Sequence, residues 1–373
     1  MQKVIVIGGG IMGASVAYHL AKKNVQVILV DREDTGQATK AAVGMICPWI
    51  SQRRNKAWYR LAKEGARYYP LLIEELKQRG IKETGYAQVG VLSLHTDENK
   101  LNQVEERAYL RRQAAPEMGE IVRLASKQTQ AMFPPLADGY GAIYIGGGAR
   151  VNGNALREAL VRAATDLGLI YLKGEAKLYC QRSRLIGVEV NGTRYTSDHI
   201  VLTAGAWVNQ LLSPLGLKAQ IKPQKGQIVH LNLRQDATGT WPVAMPPNNQ
   251  YILAFEQGRI IVGTTHEDEA GFDDRVTARG IHTILDKALS AAPGLASAAV
   301  IAMRAGIRPQ TPQFLPVFGP VSGFDNLWMA NGLGSTGLTV GPYLGSQLAK
   351  LILGQPTELD PAQYNVNSII TRL

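Results

Sequence analysis

Val4-Ile5-Val6-Ile7-Gly8-Gly9-Gly10-Ile11-Met12-Gly13 decides the fold. Four consecutive β-branched apolar residues suit a strand buried on both faces, as in a parallel sheet. Gly8, Gly10 and Gly13 then fit G-x-G-x-x-G. From Ile11 to Lys23, the apolar residues Ile11, Ala14, Ala17, Leu20 and Ala21 recur at helical spacing. A second apolar run, Val25 to Val30, ends on Asp31. Strand, glycine turn, helix, strand and acid follow in the order a dinucleotide site requires. Gly8 permits the tight turn, and Gly10 lets the backbone approach a pyrophosphate. Gly13 lets the helix lie close on the sheet, with its N-terminus turned to the phosphates. Asp31 falls 18 residues after Gly13, where a carboxylate accepts from a ribose hydroxyl.

Outward from this unit, the 373 residues are enough for two domains of the usual roughly 100–200 residues. A hydrophobic content of 45% with 19% charged residues describes an ordinary globular protein and excludes a disordered chain. The longest apolar runs are strand-length, so no transmembrane segment is expected. No secretory signal is read before the first strand. Cys47 and Cys180 lie far apart with no C-x-x-C, which argues against a disulfide scaffold and a zinc site, and no metal is expected. A reducing cytoplasm is the expected setting, with a peripheral membrane surface as the alternative. The net charge of +10 is dispersed, and its densest patches are the short pairs Arg53-Arg54 and Arg111-Arg112. It reads as solvated surface plus attraction for an anionic cofactor and substrate, with no nucleic-acid partner. A homo-oligomer stays open.

Beyond Asp31-Arg32, Glu33 to Lys40 reads as a polar loop, and Ala41-Ala42-Val43-Gly44-Met45 as a small-residue segment suited to close passage by a ligand. Helices are expected over Trp58–Arg79, stopped by Gly80, from Asp97 to about Arg112, around Ser126–Met132, and from Asn152 to Gly168. Strands are expected at Val89–Leu94, Tyr140–Ile145 and His199–Thr203. Asn191-Gly192 marks a hairpin within a small meander. Short alternating strands at Ile228–Leu233, Tyr251–Phe255 and Arg259–Val262 indicate an antiparallel sheet and a second domain. A helix over Thr277–Ala291 is followed by strands at Val300–Arg304, Leu315–Phe318 and Leu327–Ala330, then a helix from about Thr336 to Leu353. The predicted class is α/β: a Rossmann-like nucleotide-binding domain interrupted by an antiparallel-sheet substrate domain. The expected division is 1–80, 140–218 and 300–373 for the first, and 81–139 and 219–299 for the second.

With these pieces in order, the chain resembles the FAD-dependent amino-acid oxidase family, which includes glycine oxidase, sarcosine oxidase and D-amino-acid dehydrogenase. The resemblance spans nearly the full length. It rests on the N-terminal fingerprint, Ala41 to Met45, Gly148 to Asn152, Leu202-Thr203-Ala204-Gly205-Ala206-Trp207, Gly258 to Thr265, Ala305-Gly306-Ile307-Arg308-Pro309-Gln310-Thr311-Pro312, and Asn331 to Pro342. It implies a glutathione-reductase-like FAD domain. The implied FAD contacts are Gly8, Gly10, Ile11, Met12, Gly13, Asp31, Arg32, Thr39, Lys40, Ala41, Ala42, Gly44, Met45, Ala176, Ala204, Gly205, Trp207, Arg308, Gly334, Ser335, Thr336, Gly337, Leu338 and Thr339. Three departures stand out: Leu333 where many members have histidine, Ala254-Phe255 where they have Pro-Arg, and no lysine near Ile261 of the kind that helps activate oxygen in the sarcosine branch.

The implied reaction is oxidation of the C–N bond of a D-amino acid, glycine or sarcosine-type amine by hydride transfer to flavin N5, giving an imine that hydrolyses. Arg308 is the expected carboxylate anchor, since a guanidinium grips a carboxylate through two parallel hydrogen bonds. Tyr251 is expected to add a hydroxyl or a ring wall. His266 reads as structural or catalytic, and Met45 and Trp49 as flavin-side walls or packing. A flavin tether at Cys47 is disfavoured. The N-terminus at Gly337-Leu338-Thr339 would meet charge on reduced flavin. The electron acceptor is oxygen or another carrier. The competing readings are an NAD-dependent dehydrogenase and a non-catalytic flavoprotein or nucleic-acid-modification accessory.

Overall fold

The computed structural model describes residues 1–181, 184–234 and 237–373. Lys3–Ile7 is a central strand, parallel to Gln26–Asp31 on one side and His199–Leu202 on the other. Ile170–Lys173 extends the sheet beyond Gln26–Asp31, and Leu327–Asn331 beyond His199–Leu202. Val317–Pro320 closes the far edge as its antiparallel member. The unbroken apolar run is explained by burial on both faces. Val4 and Val6 pack with Ile11–Ala21, Gly153–Thr165 and Gly337–Ile352. Ile5 and Ile7 point the other way, toward Leu185, Val188 and Val190 of a three-stranded meander. That meander turns at Asn191-Gly192 with φ of 51° and 78°, the left-handed pair a two-residue hairpin needs.

A second sheet, of eight strands among the described residues, starts at the edge strand Ala299–Gln310. Across it follow Lys222–Asn232, Arg259–Gly263, Tyr251–Ala254, Val243–Met245, Val91–His95, Gly141–Ile145 and Ile121–Leu124. Its pairing is antiparallel except where Val243–Met245 meets Val91–His95. Leu92 and Leu94 alternate onto a core shared with Ile284 and Ala288 of helix Ala278–Ala291, leaving Ser93 and His95 on the opposite face.

Sheet membership departs from the expected division at 140 and 300. Gly141–Ile145 pairs with Val91–His95, and Ala299–Gln310 pairs along the length of Lys222–Asn232, so both belong to the second sheet. Alternation identifies a strand but not its partner. Two local expectations also shift. The polar loop ends in a helical turn at Ala38–Ala41, and the Leu315–Phe318 strand is displaced to Val317–Pro320. The long expected helix forms at Lys56–Gln78, where the Asn55 side chain accepts from Trp58 N at 2.9 Å.

Candidate active site

A cleft of about 1410 Å³ opens at the carboxyl ends of the parallel strands and is lined from both sheets. Its floor is the glycine turn. Gly8 has φ of +104°, and a Cβ there would stand 2.6 Å from the Thr203 carbonyl carbon, so only glycine fits. Gly13 sits beneath the turn; a Cβ there would fall 1.8 Å from the Gly8 carbonyl oxygen. Gly9 is pinned at both ends: its N–H donates to Asp31 Oδ2 and its carbonyl accepts from Arg157 Nε at 2.9 Å. The Tyr171 hydroxyl accepts from Arg157 Nη2 and donates to Glu33 Oε1, each at 2.9 Å. Asp31 Oδ1 accepts from the Glu33 N–H and from Gln37 Nε2. The carboxylate expected to meet a ribose therefore already holds its own loop in shape.

Most residues implied as FAD contacts meet in this cleft. From the first unit come Gly8, Gly10, Ile11, Met12, Asp31 and Arg32; from the next turn, Thr39, Ala41, Ala42, Gly44 and Met45. Ala176, Ala204, Gly205 and Trp207 line it from the middle of the chain, and Gly334, Ser335, Gly337, Leu338 and Thr339 from the end. Gly13, Lys40 and Thr336 are not in the lining. The Lys40 carbonyl instead accepts from Arg304 Nη1 at 3.3 Å, and the Thr336 hydroxyl donates to the Leu333 carbonyl at 2.9 Å. Cys47 and Trp49 are buried outside the lining, and burial pushes the Cys47 thiol pKa up.

The cradle fits FAD on its own features. Helices Ile11–Ala21 and Gly337–Ile352 both start at the cleft with no side-chain cap and no acid in the first turn. Ile11 N–H donates to Thr39 Oγ1 at 3.0 Å, and the remaining first-turn N–H groups and the positive dipole ends suit a pyrophosphate and an electron-rich ring edge.

Arg308 and Tyr251 line the same cleft from the second sheet. Arg308 Nη2 donates to Thr264 Oγ1 at 2.9 Å; Nη1 donates to Gln224 Oε1 and the Thr265 carbonyl, both at 3.3 Å. Among the described residues it pairs with no carboxylate. Burial works against its charge, so a neutral partner set leaves it wanting an anion. Tyr251 donates to the Val43 carbonyl at 3.5 Å; burial raises its pKa, and Arg308 pulls the other way. His266 also lines the cleft. Burial and then the Arg308 charge lower its pKa, so it is neutral at pH 7. The hold of Gln224, Thr264 and Thr265 on Arg308 was missed by sequence reading; a polar residue within one strand and two threonines just past the end of another were the available signal. Arg157 gave none, lying beside the apolar stripe of its helix.

At the other end the lining holds Ser93, His95, Lys100, Val104 and Arg107. Lys100, Val104 and Arg107 follow i, i+4, i+7 spacing on helix Glu98–Arg112 and share one face.

The sequence profile of the family described as FAD dependent oxidoreductase matches residues 3–351. An uncharacterised oxidoreductase of Bacillus subtilis is 52% identical over 366 residues, covering 98% of each chain. Glycine oxidase of Pseudomonas putida is 30% identical over 369 residues, 97% of this chain and 98% of the relative. Among solved structures, iminodiacetate oxidase of a Chelativorans species superposes with a TM-score of 0.94 at 43% identity, covering 97% of this chain and 98% of that one.

Proposed function

The chain belongs to the FAD-dependent oxidoreductase family, and from that premise we propose that it oxidises the C–N bond of a small amino acid or carboxylate-bearing secondary amine. The observation that carries this reading is Arg308, a cation in the cleft wall held only by neutral groups. Its guanidinium would take the substrate carboxylate in two parallel hydrogen bonds. Tyr251 would close the site beside it, neutral at physiological pH because burial raises its pKa. His266 stays neutral there too, so it adds no second positive charge beside Arg308. FAD, when bound, supplies the two-electron acceptor for the carbon–hydrogen bond that breaks. Glycine and iminodiacetate, the compounds in the relatives' names, each carry an amine one carbon from a carboxylate.

The test is anaerobic bleaching of the bound flavin by glycine, sarcosine, iminodiacetate, D-amino acids and proline. Bleaching by at least one, and none by the matching amine without its carboxylate, is the expected result. A flavin that a chemical reductant bleaches but no member of the panel does would overturn the proposal.

A further inference from the structure

We propose that the end of the cleft away from Arg308 is a second anion subsite, built from Lys100, Arg107 and His95, and that the enzyme accepts extended substrates carrying a second carboxylate. This deepens the amine-oxidation reading and rests on it. The three groups share the cleft with Arg308 and Tyr251. His95 points to the cleft face of its strand, because its neighbours Leu92 and Leu94 are in the core behind the sheet. Lys100 and Arg107 come to the same place from one helix face, with Val104 buried between them.

The nearby carboxylates are engaged elsewhere. Glu98 and Glu105 both pair with Arg123. Asp97 lies outside the lining and caps its helix by accepting from Asn99 N at 2.8 Å, and its charge opposes that of Lys100 at His95. Among the described residues neither Lys100 nor Arg107 has an acidic partner, and Arg107 Nη1 donates only to the Ile50 carbonyl at 3.2 Å. A concave wall with two cations against one outlying carboxylate keeps a net positive charge that concentrates an anion there. Burial and then the Lys100 charge keep His95 neutral at pH 7, so it serves as a hydrogen-bond donor while Lys100 and Arg107 carry the charge.

Sheet order sets the length of the occupant. Val243–Met245 separates Val91–His95 from the Tyr251 strand, with Ser93 opposite Met245 and Ala244 opposite Ile252. Ser93 thus stands level with Tyr251 two strand spacings away, roughly 10 Å at about 4.8 Å per strand, and His95 lies two residues farther along its strand, about 7 Å more. Arg308 lies on the other side of Tyr251, three strands away. A compact amino acid cannot touch both ends. An amine with a long N-substituent or side chain ending in a carboxylate can.

The test needs no turnover. Straight-chain α,ω-dicarboxylates of increasing length, and monocarboxylates of matching length, are titrated into the FAD-loaded protein, and binding is read from the perturbed flavin absorbance. The ratio of dicarboxylate to monocarboxylate affinity should rise at a spanning length to on the order of tenfold and fall with added salt. Lys100→Met with Arg107→Met should bring the ratio to about one. Lys100→Glu alone, at an exposed position, should reverse the preference even if the double variant folds poorly. A wild-type ratio near one at every length, or a ratio unchanged by these substitutions, overturns the subsite. Either failure leaves flavin bleaching by short amino acids intact, so the two readings fail separately.

Discussion

Replacing Arg308 by Met deletes the charge while keeping most of the stem's bulk. The groups left behind are not stranded. Gln224 Oε1 still accepts from Gln310 Nε2 at 2.9 Å, and the Thr265 carbonyl still accepts from Thr264 Oγ1 at 3.2 Å. The fold and the glycine turn should therefore survive. The loss falls on the substrate: removing one partner of a buried, hydrogen-bonded charge pair costs about 2–5 kcal/mol. At about 1.4 kcal/mol per tenfold, that is a dissociation constant raised on the order of 30-fold at the least. Arg308→Lys should recover only part of it, since an ammonium cannot form the two-pronged contact. The assay is anaerobic stopped-flow reduction of the flavin by two amines that differ only in the carboxylate. The amine bearing the carboxylate should lose its advantage while FAD content stays unchanged. Equal losses for both amines would refute the reasoning and assign Arg308 to the fold or the cofactor.

A Cβ on Gly226 would stand 2.5 Å from Arg308 Nη2, so Gly226→Ala should push the guanidinium aside and raise KM for amino acids without loss of FAD, read by steady-state kinetics and flavin absorbance. Gly10→Val and Gly8→Ala should part company. A Cβ at Gly10 meets only Thr39 Oγ1 at 3.3 Å, so Gly10→Val should fold but fail to bind FAD in a fluorescence titration; a Gly8 Cβ strikes backbone, so Gly8→Ala should lower the melting temperature. Burial lowers the pKa of His19 to about 3 and of His230 to about 4. The unfolded chain then binds protons first, so stability is full above about pH 6.5 and is lost as pH falls toward those values, at up to about 1.4 kcal/mol per pH unit for each group. His230→Gln should flatten urea midpoints between pH 7 and pH 5, and an unchanged slope would count against His230.

The N-terminal unit was legible because its determinants lie close together along the chain. Val4 to Ile7 had to be buried on both faces, Gly8 had to turn, and Gly13 had to pass beneath it; these are steric facts within a dozen residues. The Asn191-Gly192 hairpin and the Asn152 cap were legible for the same reason. Arg308 stood out in the sequence as a cation beside Ile307 and Pro309, although the groups that hold it are polar.

What holds Arg308 was not legible. Gln224 lies 84 residues before it and Thr264 lies 44 before it, and only the pairing of Lys222–Asn232 with both Ala299–Gln310 and Arg259–Gly263 brings them to one guanidinium. Arg157 reaches the Gly9 carbonyl across 148 residues. Gly141–Ile145 and the first half of Ala299–Gln310, Val300–Arg304, were readable as strands but not as members of the second sheet, and the continuation of the strand through Arg308 was not read. Composition, periodicity and glycine spacing, each a property of neighbouring residues, were enough to determine a Rossmann-like α/β protein with a dinucleotide turn. The tertiary structure alone decided which strand pairs with which, which donors pin Gly9 and Arg308, and which cations share the cleft, because each depends on segments that meet only when the chain closes on itself.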